Sequence, residues 1–206
     1  MNTIYLIFYT LLGAAIGSFL NVVIDRLPAN QSLVQPPSHC DHCQRRLSIL
    51  ELIPIFSNIF LKGRCRTCQE KISPRILMVE IGTSLLFFLI WWRYGQSWQT
   101  VLYSLYGCSL ILMGGIDFES QTIPNLLVFP SIGLALVMIP VFHLNMPWMM
   151  LAGGLLGFGV LFLIAILAPG AMGMGDVKLV IFLGLILGFP ENVLALFLAF
   201  VIGGLI

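Results

Sequence analysis

The sequence predicts an all-α polytopic membrane protein with about seven visible transmembrane helices and a small cytoplasmic zinc-binding insertion. Three observations predict it. Only 9% of the 206 residues are charged and 59% are hydrophobic, with a mean hydropathy of +1.00, whereas a soluble domain carries about 25% charged residues. Seven apolar runs recur along the chain. Eight of the ten Lys/Arg and four of the five cysteines fall between Arg26 and Arg75. This composition excludes a freely soluble enzyme. The lipid bilayer is an expected partner, and nucleic acid is not.

The apolar runs cover residues 4–24, 76–92, 98–116, 126–142, 148–167, 177–189 and 193–206. A helix crossing the bilayer core needs about 20 residues, and most runs fit. The first has no basic segment before it and is too long for a signal peptide, so it is read as an uncleaved membrane helix. Arg93-Tyr94-Gly95-Gln96-Ser97 parts the second run from the third, and Ile123-Pro124-Asn125 opens the fourth. Pro near a helix start costs no internal hydrogen bond. His143-Leu144-Asn145-Met146-Pro147 and Phe189-Pro190-Glu191-Asn192 close the fourth and sixth runs. The last run ends without a polar flank, so the chain is expected to be truncated there. The expected domains are a first transmembrane helix at 1–25, a four-cysteine module at 26–75, and a membrane core at 76–206. Gly13-x-x-x-Gly17, Gly153-x-x-x-Gly157 and Gly184-x-x-x-Gly188 are candidate close-packing seams.

Charge sets the expected orientation. The 26–75 loop holds eight Lys/Arg against Asp41, Glu51 and Glu70, which places it in the cytoplasm with the N-terminus outside. Counting spans forward from that loop brings Asp117, in Gly114-Gly115-Ile116-Asp117, to the cytoplasmic end. Asp176, in Gly173-Met174-Gly175-Asp176-Val177-Lys178, arrives at the same end.

Within the loop stand Cys40-x-x-Cys43 and Cys65-x-x-Cys68, twenty-one residues apart. Two such knuckles read as a tetrahedral four-cysteine zinc site, structural in role. A cytoplasmic setting disfavours stable disulfides. Redox-active pairs are the alternative, and His39 and His42 are further candidate ligands or solvated neighbours. Cys108, within the third run, is read as a packing residue.

Acidic groups in membrane helices are costly and mark functional sites. Asp117 and Asp176, if brought together, would titrate as a pair. The ionised member would activate water while the protonated one polarises a carbonyl, which cleaves a peptide bond without a covalent intermediate. The alternatives at this level are helix capping and a polar cavity.

The residues that carry a resemblance come in order: Gly17-Ser18-Phe19-Leu20-Asn21-Val22-Val23-Ile24-Asp25-Arg26-Leu27-Pro28, Pro37-Ser38-His39-Cys40-x-x-Cys43, Gly63-Arg64-Cys65-Arg66-x-Cys68, Asp117-x5-Ile123-Pro124-Asn125 and Gly173-Met174-Gly175-Asp176. Together they resemble the type IV prepilin peptidases, the prepilin leader peptidase/N-methyltransferases, across essentially the whole chain. The resemblance implies a GxGD aspartic peptidase of the bacterial cytoplasmic (inner) membrane. It implies removal of a short basic leader from type IV prepilins or pseudopilins at the cytoplasmic face, in pilus assembly or protein secretion. Asp117 and Asp176 would be the catalytic pair. Gly173 and Gly175 would shape the active-site loop, and Lys178 would tune the pair or anchor the helix end. The resemblance leaves open S-adenosylmethionine-dependent methylation of the new N-terminus. No cofactor loop is visible; Glu80 is a candidate for that site or for the leader, and also a candidate partner of Arg75. Family members carry a further span past the point where this chain stops, which again points to truncation. A peptidase without methylation, a non-catalytic scaffold and a transporter are the rival readings.

Overall fold

A chain in lipid must satisfy its backbone polar groups within each segment, and helices do so. Each of the seven apolar runs is accordingly helical in the computed structural model, which describes residues 3–40, 42–142, 146–168, 170 and 172–203. Asp41, residues 143–145 of the expected fourth loop, and the end of the last run at 204–206 lie outside them. The order is α1 (Thr3–Arg26), a 3-10 turn (Ile49–Leu52), α2 (Phe56–Phe60), α3 (Pro74–Tyr94), α4 (Trp98–Ser120), α5 (Asn125–Phe142), α6 (Pro147–Leu167), α7 (Met174–Leu187) and α8 (Glu191–Gly203). Among the described residues there is no strand, only isolated bridges pairing His39 with Arg46 and Arg64 with Lys71.

Helices α1, α3, α4 and α6 are long and apolar enough to cross a membrane. Helices α5, α7 and α8 are shorter, at 18, 14 and 13 residues. Length therefore supports four spans where the sequence predicts about seven. Helix starts and stops follow local chemistry. Pro74 and Pro147 open α3 and α6, where a missing N–H is harmless. Gly95 and Gly188 close α3 and α7 at φ 59 and 76, which an L side chain adopts only with strain.

The chain divides into two units, Met1–Ser120 and Gln121–Ile206. In the first, α1, α3 and α4 pack around Ile24, Thr83, Phe87, Met113 and Ile116, all at most 2% exposed. Gly13 and Gly17 let α1 lie against α3: a Cβ on Gly13 would meet Phe87 Cβ at 2.7 Å, and one on Gly17 would meet Glu80 Cα at 2.9 Å. Tyr9 adds its ring to Phe87 and Trp91, with its hydroxyl 2.8 Å from Ser104 Oγ. In the second unit α7 packs on α5 and α6 through Val128, Leu161, Val177 and Phe182. Asn192, 1% exposed at the start of α8, donates from Nδ2 to the Gly153 carbonyl at 2.7 Å. The Gly-x-x-x-Gly sequences are thus packing seams in both units.

Candidate metal centre and candidate catalytic carboxylates

The four cysteines of the first unit converge. All their sulfurs lie within 4.8 Å of one another. Cys40 Sγ is 3.7 Å from Cys68 Sγ, and Cys43 Sγ is 4.0 Å from Cys65 Sγ. Four thiolates around a zinc ion at about 2.3 Å would stand about 3.8 Å apart, so this donor set fits a tetrahedral metal.

The two knuckles are built alike. The N–H groups of Gln44 and Gln69 return to the carbonyls of Cys40 and Cys65. Both glutamines hold left-handed backbone, at φ 55 and 57. The residue after each second cysteine is the same, a repeat that the spacing of cysteines alone does not reveal. His39 Nδ1 lies 3.0 Å from the Pro37 carbonyl and His42 is exposed; neither belongs to the sulfur cluster.

Backbone N–H groups of Cys68 and then Thr67, aimed at the Cys65 sulfur, lower its thiol to about 6. The Glu70 N–H favours the Cys68 thiolate, yet burial and the neighbouring Cys65, Cys40 and Cys43 thiols outweigh it and push Cys68 up to about 12. Thiols this close oppose one another's ionisation, a conflict that a bound cation relieves. Arg45 flanks the cluster and pairs with Glu51, whose side chain is 6% exposed. The Arg45 guanidinium, with the Ser48 N–H, holds Glu51 down at about 2.

The module joins the helices through Glu80. This carboxylate, 5% exposed in the second turn of α3, accepts the Ile55 N–H at 2.7 Å. Ile55 has φ 65, rare for a β-branched residue. Arg75 pairs instead with Asp25 of α1 and Glu119 of α4, and donates to Asn21 Oδ1. Asn21 Nδ2 in turn donates to the Ile76 carbonyl at 3.0 Å. Arg75 therefore ties three helix ends together, a role that its position before an apolar run does not show. Arg26 is engaged otherwise, donating to the Ser32 and Pro36 carbonyls.

Asp117 lies in the last turn of α4, half-buried, after the fully buried Ile116. At Gly115 a Cβ would strike Ile24 Cδ1 at 2.5 Å, so α4 approaches α1 there without a side chain.

Asp176 lies in the first turn of α7 in the second unit, also half-buried. Gly173 is the N-cap of that helix, and a Cβ on it would sit 3.3 Å from Asp176 Oδ2. At Gly175 a Cβ would lie 3.1 Å from Ile123 Cβ. The two glycines therefore serve different contacts, one with the carboxylate and one with the turn before α5. Lys178 Nζ donates to Asn125 Oδ1 at 2.8 Å and lies 5.5 Å from the Phe129 ring centre.

Apolar helices long enough to cross a membrane and a four-sulfur cluster, together with two peptidase family matches, define a membrane peptidase. The chain belongs to the type IV leader peptidase family, whose model matches residues 104–206, and the bacterial peptidase A24 N-terminal domain matches residues 11–94. It is 32% identical to a prepilin leader peptidase/N-methyltransferase of Pseudomonas putida, over 96% of this chain and 78% of that one. A Bacillus subtilis protein of the same name is 34% identical over 94% of this chain and 78% of its own. The type 4 prepilin-like proteins leader peptide-processing enzyme of Escherichia coli O78:H11 is 35% identical over 84% of this chain and 73% of its own. No solved structure gives a significant match.

Proposed function

We propose that this chain is a membrane aspartic endopeptidase that removes the short basic leader of type IV prepilins or pseudopilins, with Asp117 and Asp176 as its catalytic pair. One observation carries the reading. The peptidase family match covers both aspartates, and each stands half-buried at the end of an apolar helix. The ionised carboxylate would take a proton from water as it attacks the scissile carbonyl. The protonated one would donate to the carbonyl oxygen and later return a proton to the leaving amine. Gly173 keeps the space beside the Asp176 carboxylate open, and Lys178 holds α7 to Asn125.

The reading places the protein in the bacterial inner membrane, with the basic cysteine module and both aspartates on the cytoplasmic side. Basic leader residues would stay at that face while the apolar helix of the prepilin lies among the protease helices. Cys40, Cys43, Cys65 and Cys68 would hold a structural zinc ion, which would fix the 26–75 loop.

The relatives are named N-methyltransferases as well, and the further activity in this reading is S-adenosylmethionine-dependent methylation of the new N-terminus. A peptidase without that activity is a second reading; Glu80, a candidate for the methylation site, accepts the Ile55 N–H. Cleavage of a prepilin in membranes by wild type and by Asp117→Asn and Asp176→Asn tests the central assignment.

A further inference from the structure

Between the two cysteine knuckles the chain exposes large apolar side chains: Ile49 84%, Leu50 72%, Phe56 54%, Ile59 62% and Phe60 81%. None of them carries a knuckle or a catalytic group. Large apolar side chains exposed together on one short segment mark an association surface. Three observations say what covers it.

The first is depth. Ile55, in the middle of the segment, donates its N–H to Glu80, the seventh residue of α3. At about 1.5 Å per residue that places Glu80 roughly 9 Å along a membrane-spanning helix from Pro74. Its side chain leans back toward the helix start. The segment therefore lies beside the first two turns of α3, not above them. The second is continuity. At this level α3 itself exposes Met78 at 69% and Ile81 at 46%, the side chains of a helix facing lipid. The third is charge. The apolar segment is followed by exposed Lys62, Arg64 and Arg66 and preceded by exposed Arg46, the flank that suits anionic headgroups.

We infer that residues 49–60 are a membrane-seated element: Phe56, Ile59 and Phe60 enter the boundary of headgroups and acyl chains, and the flanking cations meet anionic lipid. The four-cysteine module is then a peripheral domain pinned to the bilayer from both sides, by Glu80 of α3 and by its own apolar surface. The buried Glu80 carboxylate serves this seating, since it holds Ile55 in backbone that a β-branched residue otherwise avoids.

The test is a depth measurement on the full chain in nanodiscs of phosphatidylethanolamine and phosphatidylglycerol. A nitroxide is placed at Phe60 or Ile59 on an unnatural amino acid, so that all native cysteines remain. Gln69 in the second knuckle and Phe8 on α1, 64% exposed, are the aqueous and lipid references. The expected result is that oxygen relaxes the labels at 59 and 60 more than a water-soluble nickel complex does, as at Phe8 and opposite to Gln69. Nickel accessibility at 59 and 60 equal to that at Gln69 would overturn the inference, because the segment would stand in water. Protection from both relaxers would also overturn it, because protein rather than lipid would then cover the patch. Both sites are exposed in the fold, so labelling disturbs no packing, and an unchanged metal content checks that the module is intact.

Discussion

Gly153 of α6 and Gly184 of α7 meet face to face: a Cβ on either would lie 2.5 Å from the carbonyl oxygen of the other. The contact fixes the helix whose first turn carries Asp176. The atoms in the way are backbone, which cannot swing aside. Gly184→Leu is expected to destabilise by at least the 1–3 kcal/mol usual for overpacking, roughly. Thermal unfolding in detergent reads this, and Gly159→Leu, at an open position, should leave the midpoint near that of wild type.

Lys178→Met removes the bond to Asn125 and leaves the helix register intact. The pair is exposed, so the stability loss should be small, about 1 kcal/mol or less. If Lys178 only holds α7 to α5, Asn125→Ala should reduce cleavage by the same factor, and the double variant should lose no more than either single one. A larger, additive loss in cleavage would give Lys178 a role at the carboxylates themselves.

Arg75→Lys keeps the charge but cannot fork to Asp25, Glu119 and Asn21 together. Arg75 is 11% exposed at the side chain, against 52% for Asp25 and 45% for Glu119. Most of the loss should therefore come from the missing geometry and packing. A drop in unfolding midpoint with Arg75→Lys, close to that of Arg75→Met, is the expected outcome.

Glu51 supplies a pH-dependent increment to the cysteine module. Its folded value of about 2 lies below the ordinary 4.5 because the Arg45 guanidinium and Ser48 N–H hold the carboxylate. The contribution is therefore complete above pH 4.5 and is lost as pH falls toward 2. Glu51→Gln should be less stable than wild type at pH 6–7, and the difference should shrink progressively below pH 4.5. Paired melting curves across that range measure it.

Metal removal should act on the module first. The expectation is one zinc per chain in protein purified gently and reduced, with Cys40→Ser or Cys65→Ser lowering that content sharply. Chelation should open the 26–75 loop to protease while α3 and α4 stay folded. Acidification should release the metal as the thiolates protonate. Elemental analysis and limited proteolysis read both effects, and zinc content near zero in gently purified wild type would remove the metal from the account.

Much of this architecture was legible in the residues. Apolar runs announce membrane helices because the bilayer leaves few other structures open. Two Cys-x-x-Cys sequences announce a candidate metal centre because four thiols at that spacing can close around one ion. Contacts between distant segments were not legible. Nothing local shows that Arg75 bridges Asp25 and Glu119, or that Glu80 receives the Ile55 N–H. Span count was also weakly encoded. Helices α7 and α8 are short and apolar beyond their polar first turns, so composition suggests membrane segments without fixing whether each crosses. The matched glutamines after Cys43 and Cys68 were readable as a repeat, yet their left-handed backbone appears only in the folded knuckle.

The most direct measurement compares prepilin cleavage in membranes by wild type, Asp117→Asn and Asp176→Asn, at matched protein levels. Mass analysis of the product N-terminus shows in the same samples whether a methyl group is added. The account predicts cleavage by wild type and loss of at least a hundredfold, roughly the scale of a lost general acid or base, in each variant. Cleavage retained by either variant would contradict the pairing of Asp117 with Asp176, and no cleavage by wild type across several prepilins would contradict the assignment as a leader peptidase.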